Sequence, residues 1–149
     1  MKIDNEKIII GSDHRGYELK KALVSAFKKK NLVYFDAGAN SNDSVDYPDF
    51  AKIVAEKVSI GKFSRGILIC GTGIGMSIAA NKFKNIRAAL CINPFMAEMS
   101  RKHNDANILV LSSMQTDEKL AIKMCEIWFG TDFEGARHKL RLDKIRKID

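Results

Sequence analysis

The stretch GILICGTGIGMSIAANK, residues 66–82, joins a short apolar run to a glycine-rich turn and then to a helical pattern. Residues 66–70 are nearly all apolar, which is typical of a buried strand. Glycines at alternate positions then leave a loop with few side chains, and residues 75–82 carry small and apolar side chains at helical spacing. The stretch therefore predicts a strand, a loop and a helix in succession, the unit from which parallel sheets are built.

The same alternation of strand and helix patterns runs along the rest of the chain. Strands that are nearly all apolar and are separated by helices predict a parallel sheet covered on both faces. We therefore expect one α/β domain over residues 1–149, a Rossmann-like three-layer α/β/α sandwich with a five-stranded parallel sheet. The predicted strands are 7–11, 32–35, 66–70, 87–92 and 108–111, and the predicted helices are 17–29, 50–58, 75–82, 95–103, 117–129 and 134–145.

Composition and charge indicate a globular chain with one basic end. Of its 149 residues, 46% are hydrophobic and 29% charged, and no apolar run approaches the roughly 18 residues that span a bilayer. Three cysteines without metal-ligand spacing fit free thiols, and the first residues lack the apolar region of a signal peptide, so we expect a cytoplasmic protein. Residues 137–149 hold six Lys or Arg against two Asp, within a formal net charge of +7. This excess is consistent with nucleic acid, a membrane surface or a small phosphate as partner, or with a solvated helix face alone.

Polar side chains follow the ends of the predicted strands, where ligands bind in such folds. Asp13, His14 and Arg15 follow the first strand, and Cys70 with the glycine loop follows the third. The glycine loop is not a dinucleotide fingerprint, because Met76 occupies the position of the third glycine and no acidic residue lies about 20 residues further on. The first loop, GSDHRGYE, has a tyrosine where a P-loop has lysine, so a nucleoside triphosphate loop is not indicated either.

Cys70 stands at the mouth of the glycine loop, beside a predicted helix N-terminus. Gly71, Gly73 and Gly75 expose backbone N–H groups that favour an anion or a developing oxyanion, and a helix N-terminus favours a thiolate. With the hydroxyl of Thr72 in the same loop, the pattern indicates a general base next to an oxyanion hole. The alternative is a small buried residue that ends a strand, and without the glycines that interpretation would be the better one.

Five further candidates are ambiguous on their own. His103 ends a predicted helix, where an imidazole can simply favour the helix dipole and Asn104 can act as a left-handed cap. Arg137 and Arg141 are four residues apart, so both guanidinium groups can leave one helix face and grip one phosphate, although a solvated face explains them equally well. Tyr47, just before Pro48, has the features of a packing residue more than of a ligand contact.

Taken together, GSDHRG, DYP, ILICGTGIGMSIAANK, RKHND and GARHKLR resemble the sugar-phosphate isomerases of the ribose-5-phosphate isomerase type B family, in the family's order, from residue 8 to about 145. The resemblance implies interconversion of ribose 5-phosphate and ribulose 5-phosphate through an enediol, with no metal and no organic cofactor. It also implies a homodimer or a dimer of dimers, and we expect the C-terminal helix, about residues 134–147, at the subunit interface.

The resemblance also implies roles residue by residue. The family's base corresponds to Cys70, which moves a proton between the two sugar carbons, and another branch of the family uses a carboxylate at a position where this chain has Met76. Thr72 would assist the movement of the hydroxyl proton, and His103 would open the furanose ring. The implied substrate ligands are Asp13 and Tyr47 on sugar hydroxyls, Gly71, Gly73 and Gly75 on the enediolate, Asn104 in its loop, and His14, Arg137 and Arg141 on the phosphate.

Other functions stay open at this point. Isomerases of allose 6-phosphate have a similar pattern, whereas galactose 6-phosphate relatives divide the catalytic residues between two different subunits, and this chain carries Cys70, His103 and both arginines itself. A nucleotide or nucleic-acid binding module is less favoured, since both nucleotide fingerprints fail and few aromatics accompany the basic residues. We therefore expect a small sugar phosphate as partner, not nucleic acid or a membrane, with the thiol, histidines and arginines at one edge of the sheet.

Overall fold

The computed structural model describes residues 7–148, in which every predicted strand and helix is present with ends shifted by a few residues. Within these residues no helix has both the length and the apolar composition that crossing a membrane requires. The strands are β1 (Ile8–Ser12), β2 (Tyr34–Asp36), β3 (Arg65–Cys70), β4 (Ala88–Leu90) and β5 (Ile108–Ser112), and the helices are α1 (Tyr17–Lys29), α2 (Tyr47–Ser59), α3 (Ile74–Ala80), α4 (Pro94–Asn104), α5 (Glu118–Gly130) and α6 (Ala136–Ile145).

The five strands form one sheet in the order β2-β1-β3-β5-β4, and all neighbouring pairs are parallel. The prediction of a five-stranded parallel sheet is therefore confirmed. The chain adds β2 on one side of β1 and then returns past β1 to add β3 on the other side, so the topology switches between β1 and β3. At such a switch point the loops leaving the two strands diverge and open a crevice at the carboxyl ends of the strands. We call this edge of the sheet the carboxyl edge.

Alternate side chains of the sheet fill two apolar layers. Ile8, Ile67 and Leu109 face α1, α4 and α5, whereas neighbouring residues along the same strands face α2 and α3. All three of these side chains are fully buried, and burial of such a side chain stabilises a fold by roughly 1.5–3 kcal/mol. The three-layer α/β/α arrangement is therefore confirmed, and its sheet is a rigid support for the loops at the carboxyl edge.

The last helix begins later than its sequence pattern predicts. The pattern starts at residue 134, but α6 begins at Ala136, because Gly135 adopts a left-handed backbone with φ of 69°. The backbone N–H of Glu134 donates to the carbonyl of Lys102 instead of joining the helix. This bond ties the start of α6 to the end of α4.

The segment predicted as a surface loop, residues 37–47, is anchored to the sheet at its beginning. The backbone N–H of Ser12 donates to the carbonyl of Gly38, and the N–H of Ala39 donates to the carbonyl of Ser12, both at 2.7 Å. Gly38 and Ala39 are accordingly buried, and the exposed residues of the loop are 40–44, 46 and 47. The anchored loop then leads to Tyr47 at the start of α2.

Candidate active site

Cys70 ends β3 at the switch point, and its thiol is held by the glycine loop that follows. The Sγ atom accepts a hydrogen bond from the backbone N–H of Gly73 at 3.1 Å, and the residue is only 5% exposed. Gly73 has φ of 79°, and a Cβ at that position would lie 2.4 Å from Cδ1 of Leu90 and 3.2 Å from the carbonyl oxygen of Leu111. Only glycine fits this turn without strain, so the turn that aims the amide at the thiol requires it.

The other side of the loop is fixed by β5. The hydroxyl of Ser112 donates to the carbonyl of Gly71 at 2.7 Å, and the backbone N–H of Ser113 donates to the carbonyl of Cys70 at 3.0 Å. These bonds engage the carbonyls of Cys70 and Gly71. The backbone N–H groups are therefore the main-chain polar atoms that this part of the loop can offer to a ligand.

Tyr47 and Thr72 bound the open side of this loop. A Cβ on Gly75 would lie 2.5 Å from Cζ of Tyr47, so the absence of a side chain lets the tyrosine ring close over the loop. The hydroxyl of Thr72 accepts from the backbone N–H of Ile74 at 3.3 Å, and the residue is exposed. Both hydroxyl groups thus lie beside the loop that carries Cys70.

Asp13 and His14 leave β1 next to the end of β3. The backbone N–H of Asp13 donates to the carbonyl of Ile69, and its buried carboxylate accepts from the N–H of Gly16 at 3.0 Å. Nδ1 of His14 lies 3.2 Å from both the carbonyl oxygen and the amide nitrogen of Val45. Either tautomer can hold the ring by one of these bonds, which leaves Nε2 for a ligand.

His103 and Asn104 lie at the opposite edge of the sheet from Cys70. They end α4, whose 11 residues span about 16 Å and run back from the carboxyl edge. The carbonyl of Asn104 accepts from Nε of Arg87, the residue that precedes β4, which fixes the end of α4 beside the amino ends of the strands. The expectation that thiol and histidines share one edge therefore holds for His14 but is wrong for His103 within a single chain, because a helix between parallel strands must return to the other edge.

A second group of candidate side chains surrounds His103. The ring of His138, on α6, stacks on the ring of His103 with centroids 4.2 Å apart and an interplanar angle of 13°. Burial, followed by the charges of His103, Arg137 and Arg141, holds the pKa of His138 below its ordinary value. Arg137 and Arg141 are exposed on the same helix, and neither forms an ion pair within residues 7–148. We call these residues with Asn104 the His103 cluster.

His138 was missed by the sequence reasoning, although it lies in the same GARHKLR stretch as the two arginines. The available signal was its spacing from Leu142, four residues further on, since both residues are buried and share one helix face. A histidine on the buried face of a basic helix indicates a contact with another element. That contact is the stacked ring of His103.

Three side chains approach the spacing of a metal site. Ligand atoms of His103, Glu134 and His138 all lie within 4.8 Å of one another, and Nε2 of His138 is 3.6 Å from a Glu134 oxygen. An imidazole binds a metal with a lone pair in its ring plane, at about 2.0–2.1 Å for zinc. Two parallel rings 4.2 Å apart cannot both do so toward one ion, so this arrangement does not fit a metal.

The fold and the site define an α/β protein with a thiol and a cradle of backbone amides at the switch point of its sheet, an arrangement suited to proton transfer on a small anionic molecule. The chain belongs to the Ribose/Galactose Isomerase family, whose family model matches residues 8–145. It is 42% identical over 144 residues to ribose-5-phosphate isomerase B of Escherichia coli K12, covering 97% of each chain. The family resemblance predicted from the sequence motifs is therefore confirmed.

Solved structures of relatives have the same fold over nearly the whole chain. Ribose-5-phosphate isomerase B of Clostridium thermocellum superposes with a TM-score of 0.93 at 51% identity, covering 95% of this chain and 96% of that one. The enzyme of Mycoplasma genitalium, solved with bound ribulose-5-phosphate, superposes with a TM-score of 0.90 at 43% identity, covering 95% of this chain and 94% of that one.

Proposed function

We propose that this protein interconverts ribose 5-phosphate and ribulose 5-phosphate through an enediol intermediate. The observation that carries the proposal is the thiol of Cys70, which accepts from the Gly73 amide at the switch point of the sheet. The choice of substrate is supported by the Mycoplasma genitalium relative, which holds ribulose-5-phosphate. Three free cysteines also support the reducing cytoplasm as its compartment.

The proposed chemistry is a proton transfer between neighbouring carbons. The Cys70 thiolate removes the proton from C2 of the open-chain aldose, and the electron pair forms the C1–C2 double bond of an enediolate. The backbone N–H groups of the glycine loop stabilise its oxygen, a contribution that can reach about 10²–10³ in rate for one donor. Cys70 returns the proton to C1, and Thr72 carries the hydroxyl proton between O2 and O1, which yields the ketose.

The remaining residues of this chain's crevice hold the sugar. Asp13 and Tyr47 bind hydroxyl groups, because each has polar atoms beside the loop that carries the thiol. His14 binds the phosphate through Nε2, which carries a proton when Nδ1 accepts from the N–H of Val45. Each of these residues orients the substrate so that C2 faces Cys70.

A second copy of the chain completes the site. His103, which opens the furanose ring, and Asn104 lie at the wrong edge to serve the Cys70 of their own chain. Arg137 and Arg141, the proposed phosphate ligands on α6, belong to the same cluster and have no ion-pair partner among residues 7–148. A dimer that brings the His103 cluster of one copy to the crevice of the other would satisfy both observations.

An exposed apolar surface on α3 and α4 supports such a dimer. Ile74 and Ile78, which share one face of α3, are 55% and 61% exposed, and Phe95 at the start of α4 is 69% exposed. Ile92, just before α4, is 45% exposed. Exposed apolar side chains grouped beside a functional crevice are typical of a contact surface. We therefore propose a homodimer at the least, with the segment of about residues 134–147, which includes α6, at the interface.

The activity is tested with a coupled assay on ribose 5-phosphate and on allose 6-phosphate. We expect turnover of the pentose phosphate and loss of nearly all turnover in Cys70→Ala, with sugar-phosphate affinity within a modest factor of the parent protein. Preference for allose 6-phosphate would transfer the mechanism to a hexose. Near-normal turnover by Cys70→Ala would eliminate the proposed base.

The shared site is tested by mixing inactive variants. Cys70→Ala chains and His103→Asn chains are each expected to be inactive on ribose 5-phosphate, yet a hybrid dimer contains one crevice with an intact Cys70 and an intact His103 from the other chain. Random exchange should therefore restore up to a quarter of the parent activity, since half of the dimers are hybrids and each has one intact site. A mixture that stays inactive after mass spectrometry has demonstrated subunit exchange would contradict the shared site.

A further inference from the structure

Arg15 lies across the glycine loop, although neither its sequence motif nor the mechanism above gives it a role. Its Cδ is 3.1 Å and its Cβ 3.9 Å from the position that a Cβ on Gly71 would occupy, and Sδ of Met114 is 3.5 Å from the same position. The stem of Arg15 therefore packs on the bare backbone of Gly71. This contact keeps an exposed guanidinium at the mouth of the crevice that holds Cys70.

The arginines of the chain differ in whether their guanidinium groups have a partner within residues 7–148. Three of them donate to acidic side chains, and Arg65 donates to the carbonyl of Trp128. The guanidinium groups of the other three form no hydrogen bond and no ion pair within residues 7–148. The arginines with acidic partners are Arg87, Arg101 and Arg146, and those without a partner are Arg15, Arg137 and Arg141.

We propose that Arg15 binds the phosphate of the substrate from the same chain that supplies Cys70. The inference rests on the proposed function, in which Arg137 and Arg141 reach the same phosphate from the second chain. Arg15 directly follows His14, and α1 begins two residues later, so a phosphate at this place also meets the positive end of a 13-residue helix. A guanidinium offers a dianion two parallel N–H donors, which an ammonium group does not.

The exposure of Arg15 assigns it to the phosphate and not to the reacting carbons. Cys70 is 5% exposed, so C1 and C2 of a bound sugar lie inside the crevice. The phosphate, at the other end of the carbon chain, then projects toward the mouth, where the exposed side chain of Arg15 lies beside Gly71. Arg15 is therefore a ligand of the part of the substrate that does not react.

The test compares Arg15→Ala and Arg15→Lys with a control, Lys29→Ala. Lys29 is an exposed cation on the last turn of the same helix, at the opposite edge of the sheet. Binding of inorganic phosphate is measured by calorimetry at fixed ionic strength, and KM and kcat are measured with ribose 5-phosphate. We expect Arg15→Ala to weaken phosphate binding and raise KM by about tenfold or more, with kcat within about threefold of the parent value. Arg15→Lys should lie between, and Lys29→Ala should match the parent.

Three outcomes would overturn the proposal. Phosphate binding by Arg15→Ala as tight as that of Lys29→Ala would remove Arg15 from the phosphate site. A large loss of kcat with phosphate binding unchanged would move Arg15 to the reacting carbons. Hybrids of Cys70→Ala with Arg15→Ala chains are expected to keep a high KM, because both changes affect the same crevice, and a KM equal to that of the parent would contradict the placement in one chain. If the parent protein isomerises neither sugar phosphate, the proposed function fails, yet the calorimetric comparison still decides whether Arg15 binds phosphate.

Discussion

Replacement of Gly73 by alanine should lower the free energy of unfolding more than the same replacement at Gly61, whose Cβ position has no close neighbour. At Gly73 the new side chain meets two problems at once, a left-handed φ of 79° and a Cβ position caught between Cδ1 of Leu90 at 2.4 Å and the backbone carbonyl oxygen of Leu111 at 3.2 Å, which cannot rotate away. Gly61 is the matched control, because its φ is 74° and nothing lies within 4 Å of its Cβ position. A left-handed backbone costs an L-residue roughly 1–2 kcal/mol, and overpacking adds about 1–3 kcal/mol. We therefore expect losses in the free energy of unfolding of roughly 1–2 kcal/mol for Gly61→Ala and roughly 2–5 kcal/mol for Gly73→Ala.

Urea unfolding of both variants at one protein concentration measures this difference. Thermal unfolding provides a second measure, since each kcal/mol lowers the Tm of a domain of this size by about 2–4 °C. Gly73→Ala keeps the backbone N–H but must shift it away from Sγ of Cys70, so isomerase activity should fall as well, whereas Gly61→Ala should keep the parent activity. If Gly73→Ala is no less stable than Gly61→Ala, the close approach of Leu90 and of the Leu111 backbone does not constrain the loop, and the argument for a fixed amide cradle fails.

Three further results are expected. Iodoacetamide at pH 7 should inactivate the protein by labelling Cys70 and substrate should protect it, because burial raises the pKa of Cys91 to about 11 and keeps that thiol unreactive; equal inactivation with and without substrate would locate the reactive thiol elsewhere. Because burial and nearby positive charge hold the pKa of His138 below 6.5, the unfolded chain takes up the proton first as pH falls. The contribution of His138 to the free energy of unfolding is therefore fully present above pH 6.5 and is lost as pH falls through the lowered pKa. In a series of urea midpoints measured against pH, His138→Gln should flatten this decline, and a decline that the variant leaves unchanged would assign it to other groups. Phe95→Asp, at a side chain that is 69% exposed, should shift the protein toward monomer in analytical ultracentrifugation, and activity should be lost as the dimer is lost. An active monomer would refute the shared site.

The sequence predicted the fold well because the decisive signals are local. Each strand is a short apolar run and each helix has its own periodic pattern, so the order of elements needs no knowledge of distant contacts. The start of α6 was misplaced because Gly135 takes a left-handed conformation that its helical neighbours do not reveal. The anchoring of Gly38 and Ala39 to Ser12 was missed for a similar reason, since those bonds join residues more than 20 positions apart.

The two halves of the proposed site also differ in how far the sequence could predict them. The proximity of Cys70 to the Gly73 amide was predictable because the two residues are three positions apart. The stacking of His103 on His138 joins two helices separated by a whole strand and α5, and no local pattern records it. The direction of α4 was available from the alternation of strands and helices alone, and it would have corrected the expectation that His103 shares an edge with Cys70.

The direction of α4 also bears on how such a chain can evolve. If two copies share their sites as proposed, every copy carries a thiol half and a histidine half that never act on the same sugar molecule. After a gene duplication, one daughter chain could lose its thiol half and the other its histidine half, and the pair would still retain one working site. Selection on that site would then make the two daughters mutually dependent. A fold that separates the halves across its sheet is thus already organised for an obligate heteromer, and no new catalytic residue would be needed for the change.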